Sequence, residues 1–304
     1  MIPGRIILSR KGFDANLGRR ASPIFDDETM VSIPIPEGPN SPEGPNLRVK
    51  YDDIVDKDGH SLGPLVESLT GKQIHGCDGV HLDPDLTEAA IQRRNPVGWL
   101  PSLGHTAGAQ THLANNDVGE GDLFLFFGWF RRVRNVAGKW RYIPGSPDLQ
   151  VLFGWLQIGE ILTVDGSPSA IIKEYPWLEY HPHLSISYAR WRGYENNTIY
   201  VAREWMSLPE IEDSKIKGGG IFPRFNSSLQ LTAPDQHNRT LWLLPDSFRP
   251  KDKHTMTYHS NEMRWKPCGA GYHLQTVGRG QEFILKTKDY PGIISWTGSL
   301  FKAL

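Results

Sequence analysis

Two runs dominate the pattern of apolar positions: FLFFGWFRRVRN from Phe124 to Asn135 and VLFGWLQIGEIL from Val151 to Leu162. A strand sends alternate side chains to opposite faces. In the first run Leu123, Leu125, Phe127 and Trp129 share one face, and Phe124, Phe126, Gly128 and Phe130 the other. In the second, Val151, Phe153, Trp155 and Gln157 oppose Leu152, Gly154, Leu156 and Ile158. Both faces are apolar, so the pattern predicts central strands covered on both sides, at Leu123–Phe130 and Val151–Ile158, with a weaker strand around Ile161–Val164. A strand glycine marks a bulge, a bend or the close approach of another group. Here each glycine lies opposite a tryptophan. One reading is two bent strands of a small barrel with tryptophan in the core. The other is a slot for a flat ligand walled by Trp129 and Trp155, where stacking contributes on the order of 1–3 kcal/mol per base. Arg131, Arg132 and Arg134 follow, either to meet phosphates or as a solvated strand end.

Elsewhere the pattern predicts a first strand at Ile6–Leu8 and a helix from about Leu62 to Leu69. DPDLTEAAIQRRN reads as a short helix capped by Asp83 or Asp85 and stopped by Pro96. GHTAGAQTHLANN reads as a helix ending near Asn116. Strands follow at Thr198–Ala202 and in TLWLLP, and the tail reads as a strand and then a helix. The stretch MVSIPIPEGPNSPEGPN is proline-rich, and its repeated EGPN (Glu37–Asn40 and Glu43–Asn46) reads as duplicated turns at an edge or in a loop. Helices and strands mix without regular βαβ alternation, which predicts an α+β fold with a mixed, mostly antiparallel sheet or a β-barrel, flanking helices and long loops. No linker divides the chain, so one domain over 1–304 is expected, with a C-terminal subdomain after about residue 205 as the alternative.

Composition narrows the function classes. With 33 basic and 34 acidic residues among 304, the net charge of −1 gives no global basic field, so any nucleic-acid contact must come from a local patch. Ten tryptophans exceed ordinary core filling, which places some on a surface or cleft. Cys77 and Cys268 have no cysteine nearby, against a structural zinc site or a redox CxxC. The early apolar stretch is too short for a signal peptide, and no run approaches the roughly 20 apolar residues of a membrane helix. A reducing, cytoplasmic setting is expected, with no membrane partner.

Three stretches carry candidate chemistry. SRKGFD places Ser9, Arg10, Lys11, the amide of Gly12 and Asp14 at the end of the first strand, as an anion cradle or a basic surface turn. It lacks the length and ending of a P-loop. HGCDGVHLDPDL is the densest polar cluster, with His75, Cys77, Asp78, His81, Asp83 and Asp85. Such groups can ligate metal or share acid/base work. His81 and Asp83 share a face if the segment is extended. His105 and His112 stand about two turns apart on the alanine-rich helix, without the HExxH spacing of a zincin. No GxSxG surrounds a serine, the glycines of KGGGIFPRF lack GxGxxG spacing, and the PCxxC half of a zinc-deaminase signature is missing.

The helix, the VxxGD at Val118–Asp122 and the GWLQIGEI pattern together resemble the PUA-like barrels over about 104–205, among them the EVE, YTH and ASCH domains, which hold modified or flipped bases in an aromatic pocket. A wider set of stretches runs in order along the chain: ILSRKGFD, SPIF, SIPIP, HLDPDL, AQTHL, GDLFLFFGWFR and QEFIL. Together they resemble the third nucleotide-modification-associated domain family, which implies a prokaryotic or phage system that makes or handles hypermodified bases. The resemblance names no catalytic residue and spans both acting on a base and reading one; the many acid/base groups around the central strands favour action on a nucleotide or on DNA bases, alongside other base-modification proteins. The alternative is a non-catalytic reader that binds a modified base, and a third is a scaffold within a modification complex. The residues favoured for chemistry are His81, Asp83, Asp85 and His112. Those favoured for holding a nucleotide are Ser9, Arg10, Lys11, Asp14, Trp129, Arg131, Arg132 and Trp155. The sequence assigns no metal ligands and no cofactor.

Overall fold

The computed structural model describes residues 2–37, 49–164, 168–184, 196–211, 215–234, 236, 238–269, 271–278 and 280–304. The EGPN repeat lies outside the described residues apart from Glu37. The strands are β1 (Arg5–Arg10), β2 (Ser22–Ile24), β3 (Ser102–His105), β4 (Leu123–Val136), β5 (Lys139–Tyr142), β6 (Leu149–Thr163), β7 (Thr198–Ala202), β8 (Gly219–Ile221), β9 (Leu241–Pro245), β10 (Trp265–Cys268), β11 (Gly271–Gln275) and β12 (Glu282–Lys286). The α-helices are α1 (Gly63–Thr70), α2 (Ala107–Asn115), α3 (Pro168–Glu174) and α4 (Ile293–Leu300).

The main sheet runs β12-β1-β4-β6-β7-β3, with β2 and β5 on β4 and β8 on β6. β1 and β2 lie parallel to β4, and the other pairings are antiparallel. A separate sheet orders β10-β11-β9. The fold is therefore α+β with a mixed, mostly antiparallel sheet. The sheet is not closed into a barrel, which corrects the barrel alternative: among the described residues no ladder joins end strands β3 and β12. The sheet curls nonetheless, because His105 on β3 and Glu282 on β12 come within 3.0 Å of each other. Curling without closure leaves a seam, and the candidate site lies at that seam.

Both long strands exceed their expected lengths. β4 continues past its apolar run through Arg131–Val136 because β5 returns along it, after a turn in which Ala137 and Gly138 take φ of 51° and 79°. β6 absorbs the weaker strand as one element, with a register shift at Ile158/Glu160. A second shift falls at Phe126/Phe127 in the β4–β6 ladder. Such shifts increase local twist and bend the sheet. Gly154 is there for close approach: a Cβ at that position would stand 2.6 Å from Leu86 Cδ1 and 2.8 Å from the Gly220 carbonyl of β8.

One apolar core gathers residues from Ile6 to Phe301, including Phe124, Phe126, Phe127 and Phe130, all fully buried. Each such ring contributes about 1.5–3 kcal/mol through burial. Trp242, Leu244 and Leu274 of the small sheet belong to the same core. α1 buries Leu65, Val66 and Leu69 in a second cluster with Phe13, Tyr51 and Val133. α2 buries Gln110 and Leu113, one turn apart. The expected helix after Asp85 is only a short 3-10 turn at Glu88–Ala90. Its N-cap is Thr87, so neither Asp83 nor Asp85 caps it.

Candidate active site

The seam opens into a polar cleft of about 360 Å³. Its walls come from the end of β1, the 81–83 segment, the end of β3 with the start of α2, the turn holding His183, and Gln281 before β12. A more apolar cleft of about 190 Å³, lined by Phe25, Met30, Leu82 and Phe153 among others, shares Gly12 and Asp83 with it. α2 begins on the polar cleft with Thr106, Ala107, Gly108 and Ala109. The Thr106 side chain does not cap that helix start, and uncapped amides at a helix N-terminus favour an anion.

At the floor, Ser9 of β1, Lys11 just beyond it and His105 of β3 meet on one carboxylate, Glu282 of β12. Glu282 Oε1 accepts from Ser9 Oγ at 3.0 Å and lies 3.0 Å from His105 Nε2 and 3.5 Å from Lys11 Nζ. Lys11 Nζ is also 3.2 Å from His105 Nε2. Burial pushes Glu282 up, but His105, Lys11 and the Ser9 hydroxyl outweigh it and hold the acid down to about 2. Burial and the Lys11 ammonium lower His105. The imidazole is therefore neutral at pH 7, with Nε2 within reach of both the carboxylate and the Lys11 ammonium, and Lys11 is the pairing cation. Glu282 Oε2 is buried with no hydrogen-bond partner among the described residues. A carboxylate buried at this depth holds only with such partners.

Above this network lies a second group. Asp83 Oδ1 accepts from the Gly104 amide at 2.7 Å. Asp83 Oδ2 stands 3.8 Å from both His81 Nε2 and His183 Nε2, and Oδ1 stands 3.8 Å from His181 Nε2. Ligand atoms of His81, Asp83 and His183 all lie within 4.8 Å of one another, a spacing that could hold a metal ion. Asp56, Asp58 and His60 form a similar but largely exposed group. Burial raises Asp83, against the opposing pull of Lys11 and the Gly104 amide. Burial lowers His183 to about 4 and pushes His181 well below its usual value. His183 lies flat on the backbone of β3: a Cβ on Gly104 would be 2.3 Å from its ring.

The structure brings together some of the expected residues and separates others. Ser9, Arg10, Lys11, Asp14, His81 and Asp83 all lie in or beneath the polar cleft. Arg10 donates to the carbonyls of Val277 and Gly278 and stands over the Phe127 and Phe283 rings. Asp14 accepts from the amides of Asn16 and Leu17 at the cleft's edge. Asp85 faces away, paired with Arg93 at 2.8 Å. His112 sits 3.2 Å from Thr257 Oγ1 and against Tyr258, and it lines neither cleft. Arg132 grips Glu28 through two contacts of 2.9 Å, and Arg131 donates to Ser146.

Trp129 and Trp155 wall neither cleft. Trp155 is buried between Phe222 and Phe301 and donates Nε1–H to the Lys217 carbonyl. Trp129 carries Arg239 4.1 Å above its ring. The sealed position of Trp155 follows from β8, which covers that part of β6. Neither Glu282 nor the His181–His183 pair carries a distinct sequence signal. Glu282 is hidden in an apolar strand signal, QEFIL. The histidine pair in HPH was visible only as part of a loop, and its partner in HLD lies about a hundred residues away.

No curated protein and no solved structure matches the chain. A family model does: it is described as nucleotide modification associated domain 3 and matches residues 5–286. That span includes Lys11, His81, Asp83, His105, His183 and Glu282, so the cleft belongs to the matched region. The protein belongs to the nucleotide modification associated domain 3 family, and its general role is related to nucleotide modification.

Proposed function

We propose that the protein acts chemically on a nucleotide or a DNA base in the polar cleft. The observation that carries this reading is the convergence of Lys11, His105 and Glu282 with His81, Asp83 and His183 around one opening. Buried ionisable groups held by specific partners in a cleft are characteristic of acid/base sites. In this reading the neutral His105, backed by Glu282, moves a proton. Lys11, Arg10 and the start of α2 hold the phosphate, and the adjoining apolar cleft receives the flat base. The other components of a base-modification system supply the substrate or take up its product.

The test compares nucleosides, by mass spectrometry, from cells expressing the wild-type protein or His105→Gln. A mass-shifted nucleoside with the wild type alone supports catalysis. Identical profiles, together with wild-type binding to modified DNA, would replace this reading with that of a reader that binds without turnover.

A further inference from the structure

Asp83 is a buried carboxylate faced by histidines, and the gaps are of a particular size. Both His81 and His183 present Nε2 at 3.8 Å from the same oxygen, Asp83 Oδ2. That exceeds hydrogen-bond length. Two atoms each bonded to one ion at about 2.1 Å stand about 3.0–3.4 Å apart, so side-chain shifts of a few tenths of an ångström would seat an ion between them.

The protonation pattern points the same way. Asn197 Nδ2 donates to the His183 carbonyl at 2.9 Å, which fixes Asn197 Oδ1 as an acceptor. His183 Nδ1 lies 2.7 Å from that oxygen and must therefore carry the hydrogen. The lone pair is therefore on Nε2, the atom 3.8 Å from Asp83 Oδ2. Outer partners of this kind orient ligating imidazoles. His181 has the opposite tautomer. Its Nδ1 accepts from the His183 amide at 3.2 Å, so its hydrogen sits on Nε2, toward Asp83 Oδ1. One histidine thus offers a lone pair and its neighbour an N–H. Gly104 clears the space for the His183 ring and anchors Asp83 through its amide.

We propose that His81, Asp83 and His183 bind one divalent first-row transition-metal ion through two Nε2 atoms and a carboxylate oxygen, with its remaining positions open to the cleft. Two imidazoles and one carboxylate suit such an ion better than Mg²⁺ or Ca²⁺, which take oxygen ligands. Three protein ligands leave room for water or substrate, the arrangement of a reactive site and not of a closed structural one. The exposed Asp56–Asp58–His60 group lacks this construction: Asp56 Oδ1 caps its own turn by accepting from the Asp58 and His60 amides, and Lys57 pairs with Asp58. The ion deepens the reading of the cleft as an active site, but its binding is measured with no nucleotide present, so either claim can fail alone.

The test titrates the metal-free full-length chain with Co²⁺, followed by visible absorption. One equivalent is expected, displaced by Zn²⁺ and abolished in His183→Gln and in Asp83→Asn. Asn197→Ala, which removes both bonds to His183 but none of the three ligands, should keep the stoichiometry and weaken binding by about 10–100-fold. The Asp58→Asn/His60→Gln double variant should bind as the wild type does. Should His183→Gln fail to fold by circular dichroism, His81→Gln, whose side chain is partly exposed at the cleft, carries the same expectation. The proposal is overturned if the folded wild type takes up no Co²⁺. It is also overturned if a folded His183→Gln or His81→Gln still binds one equivalent with unchanged affinity, or if the Asp58/His60 variant loses it.

Discussion

His105 and Glu282 sit on the two end strands of a six-strand path, and their side chains meet at 3.0 Å across the gap that the backbone ladder leaves open. A pair of side chains thus does at this seam what hydrogen-bonded strands do elsewhere in the sheet. Ser9 joins the same carboxylate although it is 273 residues away along the chain. Folding and chemistry therefore share one buried group.

Glu282→Gln should be strongly destabilising. It leaves the Lys11 ammonium buried without its counterion, and breaking a buried pair from one side costs about 3–5 kcal/mol. Adding Lys11→Met should recover part of that loss, because the double variant removes both charges. Urea denaturation of the single and double variants measures the difference. Equal stability of Glu282→Gln and wild type would show that the pair carries no structural weight.

Two glycines at the cleft should respond in opposite directions to alanine. At Gly104 the new Cβ would lie 2.3 Å from the His183 ring, so Gly104→Ala should lower stability by about 1–3 kcal/mol through overpacking. At Gly108, in α2, nothing stands within 4 Å of the added carbon. Gly108→Ala should stabilise by about 0.5–1 kcal/mol through helix propensity and a less flexible unfolded chain. Thermal denaturation monitored by circular dichroism reads both shifts.

Stability should fall as the solution is acidified from pH 6.5 toward 4. His259 is fully buried, and its Nε2 accepts from the Val277 amide while Nδ1 donates to the Thr257 carbonyl. Burial lowers it to about 4. Between that value and the ordinary 6.5 the unfolded chain takes up a proton that the native state refuses, so unfolding is favoured at lower pH. The slope from this group is about 1.4 kcal/mol per pH unit. Above pH 6.5 it contributes nothing to the pH dependence. His259→Gln should lessen the slope in that window without abolishing it, because His183 is lowered to about 4 as well. Glu282, held down to about 2, acts in a separate and lower window: its stabilisation is present above 4.5 and is lost as pH falls toward 2. Denaturation midpoints measured from pH 7.5 to 3 separate the two.

Lys11→Met and Arg132→Gln should differ in nucleotide binding. Lys11 lines the cleft, whereas Arg132 is committed to Glu28 outside it. Calorimetry with a deoxynucleoside monophosphate should show at least a tenfold weaker Kd for Lys11→Met. Arg132→Gln should bind unchanged and lose only about 0.2–1 kcal/mol of stability, as a partly exposed pair does. A reversed order would move the phosphate site to the β4 arginines.

The sequence determined the elements whose signals are local. Alternation of apolar side chains located the cores of β4 and β6, and β7 was read at its observed limits, Thr198–Ala202. The helix expected from about Leu62 to Leu69 is α1, and the polar run SRKGFD and the His81–Asp83 pair lie on the cleft wall. Tertiary structure decided what those signals could not carry. β3 and β8 are short, and their ladders depend on strands distant in sequence. Trp155 and Arg132 have the side chains of a nucleotide pocket, but β8 and Glu28 cover or occupy them. Glu282, His105 and His183 acquire their character only when curling of the sheet brings them to Lys11 and Asp83. A carboxylate's charge is written in the chain, but its desolvation and its partners exist only in the folded molecule.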